Sequence, residues 1–435
     1  MRGLSQVMRV AVQHVVILGS VAAVNCKPAG DVQGPDHDTA GALPKPLQPH
    51  TLRNDAWRPE VHAGYSCELR DKDNATAWLG YDWDLLSTIH FAGGFSVWTD
   101  GSYNFTARTA AIRCKGSRGC SCDPTSPDGA EQAAFVRHAA ASNTKVVLQV
   151  VNKQQPDEVL LFLRDSSART LAGRNVLQYA SRAGFAGLSM DLERIPRFNA
   201  TFKGLLATWL GELVPQAAAL NLTVASTVAF DIAADRGVDV PTLGREVTGG
   251  LVLMAYDYHW GCGDAHAGPN TPMIGNHGTC GDKACNVNHS VAVALDAMGV
   301  PPHNLLLGIA WYGREYPTNS SMYEAFTACN SSAKDQMDKA YQAPLAAARA
   351  AKYGRRWDAS TLTPWYEFKD PLRPWLWWQG YYEDSESVVF KYSLVKHRRL
   401  KGVLIWMLNG CTQNEAPQMW SALRETLFAP DPDAY

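Results

Sequence analysis

The architecture this sequence predicts is α/β: a closed (β/α)8 TIM barrel with a small subdomain inserted after the seventh strand. Three observations predict it. From Glu60 onward, short β-like apolar runs alternate with amphipathic helical stretches, the pattern of a parallel sheet wrapped by helices. The runs number eight, the count at which such a barrel closes. A chain of 435 residues is long for one domain, yet this fold commonly absorbs insertions of that size as one unit.

Residues 1–23 read as a signal peptide. Arg2 and Arg9 supply a basic start, Val10 to Val24 is mostly apolar although Gln13 and His14 interrupt it, and Val21-Ala22-Ala23 offers small residues for cleavage. The run is short and broken for a membrane span, so no stable membrane insertion is expected; a retained signal anchor is the alternative. Residues 24–59 are rich in Pro, Gly, Asp and His with no apolar period, which predicts a linker. The barrel then occupies 60–428. Its strands are expected near Val61 to Cys67, Thr88 to Phe95, Lys145 to Val151, Phe185 to Glu193, Leu222 to Phe230, Leu251 to Asp257, Leu305 to Trp311 and Gly402 to Leu408.

Helices follow from apolar residues recurring at three and four residue steps. Phe202, Leu205, Leu206, Trp209, Leu210 and Leu213 make one such face, with Pro215 disturbing the helix near its end. Val388, Val389, Tyr392 and Val395 make another after Asp384 and Ser385, both good N-caps, and Met419, Trp420, Leu423 and Leu427 mark the last helix. Two connections exceed simple loops. One runs from Ser96 to Asp128; the other, about 312–383, carries a cluster of tryptophans and is long enough for strands of its own. Both follow a strand, which puts them on the face where such barrels build active sites.

The candidate chemistry centres on Gly187-Leu-Ser-Met-Asp-Leu-Glu193. Strand alternation sends Leu188, Met190 and Leu192 to one face and Ser189, Asp191 and Glu193 to the other. Two carboxyls about 7 Å apart along a strand repel and tend to hold one proton between them, which is what a general acid needs. The bland alternative is that the pair caps a helix or meets an arginine. At the end of the sixth strand stands Met254-Ala-Tyr256-Asp257-Tyr258, and at the end of the eighth, Trp406. Taken singly, each has a structural explanation: Tyr256 as a barrel-core residue, Asp257 as a cap of the following loop and Trp406 as packing.

With those pieces the chain resembles glycoside hydrolase family 18, whose fourth-strand signature is D-G-x-D-x-D-x-E and whose sixth strand ends in M-x-Y-D. The likeness runs from about Tyr81 to Phe428 and includes Tyr81-Asp82-Trp83, Trp311-Tyr312-Gly313, Trp365-Tyr366-Glu367-Phe368-Lys369-Asp370-Pro371 and Leu400-Lys401-Gly402 through Trp406. It is most similar to the exo-acting branch that removes reducing-end N-acetylglucosamine from chitobiose cores, a branch that also lacks S-x-G-G on its third strand, here Lys145 to Val150. Two positions depart from the signature: Ala186 replaces its first Asp and Ser189 its second. Ser189 is expected to hydrogen-bond Asp191 in place of a carboxylate.

The resemblance implies a substrate-assisted, retaining glycosidase, the known exception to the two-carboxylate scheme. Glu193 would protonate the leaving oxygen, Asp191 would orient the acetamide of the sugar, and Tyr256 would hydrogen-bond its carbonyl. Asp257, Trp406, Ser189, Met254 and Tyr382 are the expected substrate contacts. Anions at Asp191 and Asp257 are expected to keep Glu193 protonated. The substrate implied is a β-1,4-linked N-acetylglucosamine oligosaccharide, with an endo-acting chitinase or endo-N-acetylglucosaminidase, or a non-catalytic sugar-binding lectin, as the alternatives.

Composition is compatible. A net charge of −2 gives no sign of a nucleic-acid partner, and 14 tryptophans suit the apolar faces of sugar rings as well as a core. Sequons begin at Asn74, Asn104, Asn199, Asn221, Asn288, Asn319 and Asn330, and ten cysteines fit disulfides in an oxidising compartment. A monomer in the secretory pathway, delivered to a lysosome or vacuole or released outside the cell, is therefore expected. His259, Cys262, Asp264, His266, His277, Cys280 and Cys285 are metal-ligand types, but they lack C-x-x-C or H-x-x-x-H spacing, so no metal and no cofactor is expected.

Overall fold

The computed structural model describes residues 57–67, 76–105, 121–152, 155–193, 195, 200–232, 237–275, 284–330 and 332–429. The expected signal peptide and most of the expected linker lie outside them. The chain opens with β1 (Glu60–Ser66), then β2 (Thr88–Val97) and a short β3 (Tyr103–Phe105) that folds back on β2. Helix α1 (Ala130–Ala141) leads to β4 (Lys145–Val151), and α2 (Pro156–Arg164) and α3 (Ser166–Ala183) lead to β5 (Gly187–Asp191). Next come α4 (Leu205–Ala218), β6 (Thr223–Ala229), α5 (Val240–Glu246), β7 (Gly250–Met254), α6 (Val287–Ala292) and β8 (Leu305–Ala310).

Past β8 the inserted segment forms β9 (Tyr312–Thr318), β10 (Lys339–Gln342), α7 (Ala343–Tyr353), β11 (Arg356–Asp358), β12 (Thr363–Lys369) and β13 (Trp377–Tyr381). The barrel resumes with α8 (Ser385–His397), β14 (Gly402–Trp406) and α9 (Pro417–Leu427). Strands β1, β2, β4, β5, β6, β7, β8 and β14 pair in parallel in that order, and β14 pairs back on β1, closing the barrel. The insertion is a separate antiparallel sheet in the order β10-β9-β13-β12-β11.

Local sequence explains the helix ends. Asp165 caps α3 by accepting from the Ser167 and Ala168 N–H groups, and Gly184, at φ 78°, takes the left-handed turn that ends it. Asp384 caps α8 from the Glu386 and Ser387 N–H groups, with Ser385 as its first residue. Helix α4 continues three residues past Pro215 to Ala218, further than the proline suggested, because a ring in the last turn costs only one helical bond.

Alternation along the strands sets the layers. Leu188, Met190, Val224, Leu251, Leu253, Leu305, Leu307, Val403 and Ile405 point outward into the continuous apolar layer beneath the helices. Each such side chain contributes about 1.5–3 kcal/mol on burial. The inward faces divide into two halves. Val252, Leu306 and Leu404 are buried together under the half-buried Met254 and Trp406, whereas β1, β2, β4, β5 and β6 send His62, His90, Gln149, Ser189, Asp191 and Thr227 inward. One disulfide, Cys67–Cys122, ties the end of β1 to the approach to α1, and another, Cys262–Cys329, ties the loop after β7 to the insertion. No helix among the described residues is long and apolar enough to cross a membrane.

Candidate active site

Asp191 is the last residue of β5, 7 % exposed at the C-terminal mouth of the barrel. Burying a carboxylate there requires donors from the neighbouring strands. Gln149 on β4 donates from Nε2 to Asp191 Oδ2 at 2.5 Å, and Thr227 on β6 donates to Oδ1 at 2.6 Å. Glu193, exposed in the turn just past the strand, hydrogen-bonds Asp191 as well. Burial pushes the Asp191 carboxyl above its usual range, and these hydrogen bonds pull the other way. Two carboxyls joined by a hydrogen bond share one proton, so Glu193 can hold a proton toward Asp191 and deliver it to a group above the barrel.

Tyr256 lies two residues beyond β7, in the field of Asp191, Glu193 and Asp257. Burial first, and the negative charge on those carboxyls second, push its phenol well up, which keeps it a hydrogen-bond donor. Room for the ring comes from Gly308 on β8, where a Cβ would stand 3.0 Å from Tyr256 Cε1 and 2.7 Å from the Leu253 carbonyl oxygen. Trp406 ends β14, with the peptide bond to Met407 cis. Its ring lies over Gly64 of β1, where a Cβ would sit 2.4 Å from Trp406 Cε3. Asn409 fastens the loop that follows to β1, accepting from the Ser66 N–H at 2.8 Å and donating to its carbonyl at 2.9 Å. Met254 and Trp406 thus form an apolar floor over Val252, Leu306 and Leu404 on the inward face of the barrel.

Asp257, at φ 60° and with its side chain 32 % exposed, is held by the insertion. Tyr312 donates to Oδ1 at 2.6 Å, and Arg314 takes both oxygens at 3.0 and 3.1 Å. The Asp257 N–H donates to Asn270 Oδ1 at 2.7 Å. Arg314 offsets the charge of Asp257, while Asp191 is the hydrogen-bond partner of Glu193.

Two expected roles change. Ser189 does not serve Asp191: its hydroxyl pairs with His90 Nδ1 at 2.8 Å, and Asp191 takes its neighbours from β4 and β6 instead. Tyr382 does not join the group. It is 3 % exposed, packs with Ala346, Ala350 and Tyr366 in the insertion, and hydrogen-bonds Arg355, which itself pairs with Asp384 and Glu386. The backbone opposite explains this: Gly313 approaches so closely that a Cβ there would meet Tyr382 Cβ at 2.3 Å. Of the metal-ligand types, Cys262 pairs with Cys329 and Cys285 is disulfide-bonded; His277 and Cys280 lie outside the described residues. No group of ligand-type side chains suited to a metal ion occurs among the described residues.

Gln149, Thr227 and Arg314 were given no role from the sequence, and Tyr312 entered only as part of Trp311-Tyr312-Gly313. Gln149 carried a signal, a lone amide on the inward face of Val-Val-Leu-Gln-Val-Val, and Thr227 a weaker one. Arg314 had none, since its partner lies 57 residues away.

The Glycosyl hydrolases family 18 profile matches residues 71–410. Rat (Rattus norvegicus) di-N-acetylchitobiase is 26 % identical over 147 residues, 30 % of this chain and 39 % of that protein, so the chain spans about two fifths of that relative's length. Among solved structures, the Ostrinia furnacalis Group IV chitinase superposes with TM-score 0.68 at 16 % identity, covering 85 % of this chain and 100 % of that one. The Trichuris suis chitinase TsES1 gives 0.66 at 17 %, covering 85 % and 100 %. A closed barrel with its carboxyl pair at the mouth of the fourth strand, and a family match running through nearly the whole of it, together show that this chain belongs to the family 18 glycosyl hydrolases.

Proposed function

We propose that the protein hydrolyses β-1,4-linked N-acetylglucosamine, in chitobiose cores or chitooligosaccharides, removing one residue from the reducing end. The observation that carries this reading is the buried Asp191, hydrogen-bonded to Glu193 and braced by Gln149 and Thr227. No side chain is then needed as nucleophile. Glu193 gives its proton to the glycosidic oxygen while the acetamide oxygen of the same sugar attacks the anomeric carbon, breaking the glycosidic bond and forming an oxazolinium ion. Asp191 accepts the acetamide N–H and balances the positive charge. The Tyr256 hydroxyl donates to the acetamide oxygen and aims it, and Trp406 supports the apolar face of the ring. Water, deprotonated by Glu193, then opens the intermediate with retention at the anomeric carbon.

Support for the exo mode comes from the match to di-N-acetylchitobiase and from the insertion beside the mouth of the barrel. All five sequon asparagines among the described residues, Asn104, Asn221, Asn288, Asn319 and Asn330, are exposed, as secretory glycosylation requires. Together with the disulfides this supports a secreted or lysosomal protein. The test is product analysis on a chitotetraose labelled at its reducing end. Labelled monosaccharide as the sole labelled product supports the proposal; labelled disaccharide indicates an endo-acting enzyme, and binding without cleavage a lectin.

A further inference from the structure

A hydrogen-bonded chain inside the barrel ends beside this site and has no part in the chemistry above. Glu60, at the entry of β1, lies 2.7 Å from His62 Nε2; His62 Nδ1 lies 3.0 Å from His90 Nε2 on β2; and His90 Nδ1 lies 2.8 Å from Ser189 Oγ on β5. The chain begins at a carboxylate 40 % exposed and ends two residues before Asp191, on the inward face the two residues share. Both imidazoles are buried. His62 faces Glu60 on its own strand, Lys401 ahead of β14, Lys145 at the start of β4 and His90; His90 faces His62 and Ser189.

One end of the chain sets the direction of every bond in it. Partial burial acts to raise the Glu60 carboxyl, but hydrogen bonds from His62 and from Lys401 at 2.9 Å bring it down to about 2, so it is an acceptor. Burial pushes both imidazoles below their usual value, against the pull of Glu60 on His62, so at pH 7 each is neutral and carries one N–H. His62 therefore donates from Nε2 to Glu60 and accepts at Nδ1. His90 donates from Nε2 to His62 and accepts at Nδ1. Ser189 must donate its only proton to His90.

We propose that Glu60 is a positioning residue for the carboxyl pair: through His62 and His90 it locks the Ser189 proton away from Asp191, leaving only lone pairs on the shared face. An oxygen dipole of that sign disfavours a second full charge nearby and helps the pair retain its common proton. The proposal rests on Asp191 and Glu193 being the catalytic pair.

Glu60→Gln tests it, because an amide can face its oxygen to Lys401 and its N–H to His62, which permits every bond in the chain to reverse. The expected result has two parts. Nitrogen NMR of the native protein shows both His62 and His90 protonated on Nε2, and in Glu60→Gln both move to Nδ1. The alkaline limb of the kcat/KM profile, on which the free enzyme loses the pair's common proton, moves to lower pH by several tenths of a unit as Ser189 becomes a donor toward Asp191. Loss of the distant charge alone also shifts that limb slightly, so Glu60→Gln is repeated in a Ser189→Ala background, where the shift shrinks to that residue. Native imidazoles protonated on Nδ1, an unmoved limb in a tautomer-switched variant, or an equal shift with and without Ser189 would overturn the proposal. Should the native protein fail to release N-acetylglucosamine, the functional reading falls, while the nitrogen shifts still decide the polarity of the chain.

Discussion

Gln149 Nε2 reaches Asp191 Oδ2 at 2.5 Å across the β4–β5 ladder, from the strand position opposite Ser189. A hydrogen bond to a charged group contributes about 1.5–3 kcal/mol, and this one fixes the carboxylate proposed to meet the acetamide. Gln149→Leu is therefore expected to lower kcat on di-N-acetylchitobiose by about 10- to 100-fold with little change in KM. Steady-state kinetics check it, and an equal rise in KM would mean that Gln149 binds sugar directly.

Glu193→Gln keeps the shape of the proposed general acid and removes its proton. Loss of a general acid costs about 10²- to 10⁴-fold in rate, and binding of chitooligosaccharide measured by calorimetry should survive.

Asp191→Asn is expected to trade activity for stability. The folded protein raises the Asp191 carboxyl above its unfolded value of 3.8, so the native state holds that proton more tightly than the unfolded chain does. Stability then falls as pH rises from the unfolded value through the folded one, and at neutral pH the ionised side chain opposes folding. The asparagine variant should melt at a higher temperature than the native protein at pH 7, converge with it in strong acid, and be inactive. Thermal melts across pH read this directly.

Gly64→Ala should damage the floor of the site without touching any polar group. Its methyl would stand where the Trp406 ring lies, and overpacking of this kind costs about 1–3 kcal/mol. A higher KM with a smaller change in kcat is expected. Tyr382→Phe, in contrast, should leave kcat/KM unchanged, since that hydroxyl serves Arg355.

The barrel was legible because strand alternation and helical period are local. Leu188 and Met190 pointing out, with Asp191 pointing in, needs only the two-residue repeat. The carboxyl pair, Tyr256 and Trp406 were legible for a related reason, each standing at a strand exit. What supports them was not. Tyr312 and Arg314 reach Asp257 from the insertion, and His90 captures Ser189 across 99 residues of sequence. Such partners are fixed by barrel closure, which no local period encodes. Tyr382 misled for the same reason: its place at the end of β13 is local, but the direction of its ring is set by Gly313 and α7.

Arg314 and Tyr312 sit on the first strand of the insertion while Asp257 belongs to the barrel. Barrel and insertion are consequently not exchangeable modules. An engineer who trimmed the molecule to a minimal scaffold by splicing Ala310 to Glu383 would strip the clamp from Asp257, and a swapped-in insertion from a cousin would have to bring its own cation to the same spot.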